Sequence, residues 1–126
     1  MRVLGFDHLV LAVADVERSL AFYVDELGLA PERVEEWRRG EVFFPSVRID
    51  ATTIIDLLGP AAQPGDARNM DHLCLVVGDD VDELAASGRF DVVDGPDERW
   101  GAQGVARSLY VRDPDGNVVE LRKYPS

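Results

Sequence analysis

The tripeptide Asp-His-Leu occurs twice, as Asp7-His8-Leu9 and Asp71-His72-Leu73, and these copies hold the only two histidines of the chain. A second echo follows in each half, where Ile54-Ile55-Asp56-Leu57 returns as Val118-Val119-Glu120-Leu121. His72 follows His8 by 64 residues, and Glu120 follows Asp56 by the same 64. The fold must therefore accommodate one module used twice, each copy bringing one imidazole and one carboxylate to the same place. With 126 residues the chain suffices for a single compact domain, whereas either half alone is too small for a stable core. We read one domain over 1–126, with module one at 1–58, a linker at 59–69 rich in Pro, Gly and Ala, and module two at 70–126.

Along the chain, Phe6 to Val13 reads as a strand buried on both faces, with His8, Val10 and Ala12 on one side. Asp15 is a good N-cap for a helix from Val16 to Leu27, whose apolar stripe is Val16, Leu20, Tyr23 or Val24, and Leu27, with Gly28 at its C-terminal turn. Strands are expected around Arg33 to Trp37, over Glu41 to Asp50 with an interruption at Pro45, and over Thr52 to Leu58. The second copy repeats the order: a strand from His72 to Val77, a cap at Asp79 or Asp80, a short helix ending at Gly88, and a strand near Phe90 to Val93. A glycine-rich loop is expected from Asp94 to Gly104, then a hairpin of Val105–Arg112 and Asn117–Tyr124. A five-residue turn over Asp113 to Asn117 sets Tyr110 opposite Glu120. Each module is thus β-α-β-β-β. Two of them make an α+β fold: one curved sheet with the helices on its convex side, and His8, Asp56, His72 and Glu120 pointing to the concave side.

A buried carboxylate is costly unless it is paired or bound to a metal. Two imidazoles and two carboxylates form an N₂O₂ set that suits Ni, Zn, Co, Fe or Mn. In an octahedral shell, four protein ligands leave two positions for a substrate with neighbouring oxygens, and a carboxylate that loosens from the metal serves as a base. His8, Asp56, His72 and Glu120 are the candidate ligands, with Asp56 and Glu120 also the catalytic candidates. Tyr110, Trp100 and Phe44 are the candidate substrate contacts: a hydrogen-bond donor, a residue at the cavity mouth and an apolar wall. Asp7 and Asp71 are expected to point away from their neighbouring histidines.

The formal net charge of −11 argues against a nucleic-acid partner and against anionic membrane surfaces, both of which call for clustered Lys and Arg. Cys74 is the single cysteine and lies in an apolar run, where it packs as a small hydrophobe. With no apolar run of membrane-spanning length and no leader pattern, the expected location is the cytoplasm and the expected partner a small molecule.

Three stretches, DHLVLAVADVERSLAFYVDELGL, DHLCLVV and SLYVRDPDGNVVEL, resemble the vicinal oxygen chelate superfamily over nearly the whole chain. That superfamily includes glyoxalase I, fosfomycin-resistance enzymes, methylmalonyl-CoA epimerases, extradiol dioxygenases and bleomycin-resistance proteins. The resemblance implies paired βαβββ modules forming a curved, half-open mixed-sheet barrel, a divalent metal on His8, Asp56, His72 and Glu120, and a homodimer. It also implies a glyoxalase-like lyase or isomerase acting on a substrate chelated through neighbouring oxygens. Departures limit it. The arginine that glyoxalase I usually carries four residues after its first histidine is Ala12 here, and its asparagine after the first carboxylate is Pro60. The threonine of fosfomycin-resistance enzymes is Val10, and their lysine is Trp100. Extradiol dioxygenases use a further histidine near the metal. The alternatives are a metal-independent binding protein of the bleomycin-resistance type, or a fosfomycin-resistance or dioxygenase-like relative. Small glyoxalase-domain proteins, some virulence-associated, share the pattern from Gly95 to Glu120.

Overall fold

The structure, a computed structural model, describes residues 1–60, 69–112, 114 and 116–126. The elements run β1 (Val3–Ala12), α1 (Val16–Leu20, continued by π-helical turns over Ala21–Glu26), β2 (Ala30–Glu32), α2 (Val34–Arg38), β3 (Ser46–Asp50), β4 (Thr53–Leu58), β5 (Met70–Val77), α3 (Val81–Ala86), β6 (Asp91–Gly101), β7 (Gly104–Arg112) and β8 (Val118–Lys123). The α+β class and the twofold βαβββ order are both present, with α2 added between β2 and β3. Most of the expected linker, residues 61–68, and two residues of the last turn, Asp113 and Asp115, lie outside the described residues. The chain divides into two compact units: Leu9–Asp71, and Met1–His8 together with His72–Ser126. The divisions fall beside the two histidines, so β1 contributes its first half to the unit that carries β5 to β8.

In the unit Leu9–Asp71 the strands are ordered β2-β3-β4-β1. β3 and β4 are antiparallel and place Ser46 opposite Asp56. The Asp15 carboxylate caps α1 by accepting from the Arg18 N–H at 3.1 Å. Val16, Leu20, Val47 and Leu57 form the core. Leu27, expected to join that stripe, is 55% exposed. The cause is the π-helical winding, seen in the Leu27 N–H to Phe22 carbonyl bond of 3.0 Å, which advances the phase of the helix beyond the regular 3.6-residue period. The segment Arg33 to Trp37, expected as a strand, forms α2. Val34 and Trp37 are three residues apart and both pack on the core, while Glu35 and Glu36 in the first turn and Arg38 in the last suit the helix dipole. The strand expected from Glu41 starts only at Ser46, because Pro45 has no N–H to offer a ladder.

In the other unit the order is β1-β5-β8-β7-β6, with β5 parallel to β8 and the remaining β5–β8 ladders antiparallel. Asp80 caps α3, accepting from the Asp82 and Glu83 N–H groups at 2.8 and 3.2 Å. Alternation divides β7 and β8 between two faces. Leu109, Val111 and Leu121 pack with Val77, Val81 and Leu84 of β5 and α3, while Ser108, Tyr110, Glu120 and Arg122 take the opposite face. Tyr110 pairs with Glu120, as expected from the turn length. The expected loop from Asp94 to Gly104 is mostly strand β6. Register shifts between Val92 and Asp97 absorb Gly95-Pro96 and let pairing resume. Gly95 is required there, since its φ is 84° and a Cβ would lie 2.7 Å from the Ser108 carbonyl oxygen. β1 begins at Val3 rather than Phe6, and Phe6, expected to be buried, is exposed.

Leu109 is fully buried at the centre of the β7–β8–α3 core. Leu109→Ala should lower the unfolding free energy by about 2–5 kcal/mol in a urea titration. A loss well under about 1 kcal/mol would contradict this packing.

Candidate metal centre

Three of the four sequence-derived ligands meet in the unit that carries β5 to β8. His8 comes from β1, His72 from β5 and Glu120 from β8. One ligand atom from each lies within 4.8 Å of the others. The convergence is tighter than that limit implies: His8 Nε2 and His72 Nε2 each lie 3.2 Å from the same oxygen, Glu120 Oε1. His8 and Glu120 are almost wholly buried, while His72 is half-buried. The two imidazole rings stand edge to face, with centroids 5.5 Å apart.

Asp7 corrects the reading that its side chain points away from His8. Its Oδ2 lies 2.7 Å from His8 Nδ1, and the carboxylate is fully buried. The same oxygen accepts the Ala102 N–H at 3.0 Å, and Oδ1 accepts the Tyr124 hydroxyl. An ionised carboxylate only accepts, so it assigns the ring proton to Nδ1 and leaves the Nε2 lone pair facing Glu120. A lone pair and a carboxylate oxygen at 3.2 Å repel unless a proton or a cation lies with them. Two imidazole nitrogens and a carboxylate oxygen, one ring held from behind by a carboxylate, are a donor set that fits a divalent transition metal.

Glu120 divides its oxygens between two tasks. Oε1 faces the histidines, while Oε2 accepts from Ser108 Oγ and from Arg122 Nη1, both at 2.7 Å. Burial alone would raise the Glu120 carboxyl, but His72 and His8, when they carry a proton on the Nε2 that faces it, and the Arg122 charge outweigh burial and hold it well below the usual range. Asp7 follows the same pattern. Burial opposes ionisation, while the bonds from His8, Ala102 and Tyr124 and the Arg122 charge lower it.

Asp56 belongs to the unit Leu9–Asp71, where it is buried and accepts from Ser46 Oγ on β3. Phe44, in the same unit, is half-buried just before β3, with the Arg33 guanidinium 4.9 Å from its ring centroid. Tyr110 stands beside the cluster, its ring edge-on to His72 at 5.3 Å, and burial and the Glu120 charge raise its hydroxyl. Trp100, on β6, is half-buried and pairs with Val105 of β7. Arg122, Asp7 and Tyr124 are absent from the sequence-derived list. Arg122 carried a signal, because on a strand it shares a face with Glu120 two residues earlier.

The family model of the Glyoxalase/Bleomycin resistance protein/Dioxygenase superfamily matches residues 5–121. A virulence protein of Salmonella typhimurium is 34% identical over 125 residues, covering 94% of this chain and 83% of that protein. A glyoxalase domain-containing protein of Mycosarcoma maydis is 33% identical over 130 residues, covering 98% and 70%. Among solved structures, methylmalonyl-CoA epimerase from Mycobacterium tuberculosis is similar at TM-score 0.62 and 21% identity, covering 98% of this chain and 90% of its own. A superfamily member from Vibrio splendidus is similar at 0.63 and 19%, covering 95% and 98%. At these identities the two structures establish a shared fold.

The depressed Asp7 carboxyl sets an acid limit. Its contribution to stability is full above the unfolded-state value near 3.8 and fades as pH falls toward the lower folded-state value. The melting temperature of the wild-type chain should therefore drop as pH is lowered through about 4. Asp7→Asn should start lower at neutral pH and lose less across the same window. Parallel pH profiles for the two would count against this assignment.

Proposed function

We propose that this chain, which belongs to the glyoxalase/bleomycin resistance protein/dioxygenase superfamily, is a divalent-metal-dependent enzyme of the lyase or isomerase type. Its substrate is a small molecule that presents two neighbouring oxygens. The observation that carries the reading is the convergence of His8 Nε2 and His72 Nε2 on Glu120 Oε1, with the His8 tautomer held by Asp7. His8, His72 and Glu120 hold the ion, and the 64-residue repeat assigns Asp56 as the fourth ligand. Bound there, a divalent ion from the Ni, Zn, Co, Fe and Mn group supplies Lewis acidity to the substrate oxygens.

The protein groups divide the remaining work. Glu120 is engaged at both oxygens, which suits a ligand that stays in place. Proton transfer then falls first to Asp56, the other catalytic candidate. Tyr110, beside His72 and with its hydroxyl kept protonated, donates a hydrogen bond to the substrate. Trp100 and Phe44 remain candidates for shaping access rather than for the chemistry. A homodimer belongs to the same proposal, supported by the exposed Val3, Leu4 and Phe6 on β1, and sedimentation as a monomer at micromolar concentration would remove it.

Purification without chelator should give about one divalent ion per chain, and His8→Ala and His72→Ala should each lose most of it while remaining folded. Protein that is metal-free and also ignores added Ni, Mn, Co, Fe and Zn would leave the binding-protein reading in its place.

A further inference from the structure

Arg122 is a large side chain with no exposed surface. Its guanidinium lies against Gly101, where a Cβ would come within 2.5 Å of Cζ and 2.7 and 2.8 Å of the two terminal nitrogens. Nη2 donates to the Arg99 and Gly104 carbonyls at 2.9 Å each, and the group lies over the Tyr124 ring at 4.8 Å. Nη1 donates to Glu120 Oε2 at 2.7 Å and to Ser108 Oγ at 3.4 Å, and Nε faces Asp7 Oδ1 at 3.8 Å. Removing a guanidinium from water is expensive, and filling the volume does not require one. The residue 64 positions earlier, at the matching place of the first copy, is Leu58. Arg122 therefore answers a need for charge, and the two groups that present one are the buried carboxylates behind His8 and between the two histidines.

We infer that Arg122 is a positioning residue: a built-in cation that restricts Glu120 to one ligand oxygen and balances Asp7 and Glu120 when no metal is bound. The inference rests on the metal-binding reading above. With Oε2 fixed by Arg122 and Ser108, only Oε1 is left for the histidine side, so Glu120 acts as a single-oxygen ligand and one more coordination position stays open to substrate. The same charge weakens the site's hold on a divalent ion, because two cations then share one carboxylate.

Cobalt(II) titration of the wild-type chain and of Arg122→Met tests this, read by visible absorption, chelator competition and melting temperature. Arg122→Met leaves one more negative charge and a second available carboxylate oxygen. It should bind cobalt about tenfold or more tightly. Its absorption bands should shift as the second Glu120 oxygen takes a position that solvent otherwise fills, and cobalt should raise its melting temperature more than that of the wild type. Arg122→Lys returns the charge and should bring the affinity back toward the wild-type value. An Arg122→Met chain that folds only with cobalt is the extreme form of the same result. For a chain that does not fold at all, Gly101→Ala carries the test, since its methyl displaces the guanidinium and leaves every ligand in place. Unchanged bands and affinity in the variants make Arg122 a core residue only and overturn the inference. A wild-type chain that binds no cobalt overturns the metal-binding reading and the inference together, so the two failures are distinguishable.

Discussion

The carboxylate of Glu120 is the interaction on which its unit depends. It is buried, and it is tolerable there because each oxygen has its own partners: two imidazoles on one side, a guanidinium and a hydroxyl on the other. Strand pairing imposes this. Glu120 and Arg122 share one face of β8, Ser108 and Tyr110 share the facing side of β7, and Cys74 of β5 lies beside Glu120 across the parallel ladder. The opposite face of the same strands carries Leu109, Val111 and Leu121 into the α3 core. A one-residue slip of register would bury Leu121 among charges and turn Glu120 toward α3, so the core and the site specify the same pairing.

That coupling explains which parts were readable from sequence. The His and carboxylate positions are marked by identity and by spacing, and spacing survives whatever the loops do. The Tyr110–Glu120 pairing followed from a turn length, since a hairpin fixes register by counting residues. Boundaries decided by packing were harder. Five residues from Val34 fit a strand or one helical turn equally well, and only the contact of Val34 and Trp37 with the α1 core selects the helix. Asp94 to Gly104 carries the composition of a loop, yet pairing with β7 overrides it, and bulges take up the misfit.

Buried ionic supports were the least legible. Arg122 looks like one of many arginines near a chain terminus, and its burial follows from Gly101 lacking a side chain 21 residues earlier. Asp7 was misjudged by alternation. The Cβ atoms of neighbouring strand residues do point to opposite faces, but a carboxylate extends beyond its Cβ, and here it reaches the ring of the next residue.

The repeat also shows where the copies diverged. The His and carboxylate positions match, but their surroundings do not. Asp7 is buried behind His8, whereas its counterpart Asp71 is exposed. Ser46, opposite Asp56, stands where the second copy has Tyr110, opposite Glu120. Leu58 stands where the second copy has Arg122. The result within the β5–β8 unit is an asymmetric cluster. His8 and Glu120 are buried and braced from behind, while His72 is half-buried beside Tyr110. The repeat thus accounts for the residue types that recur, and the divergence of their neighbours accounts for one histidine being buried and the other half-buried.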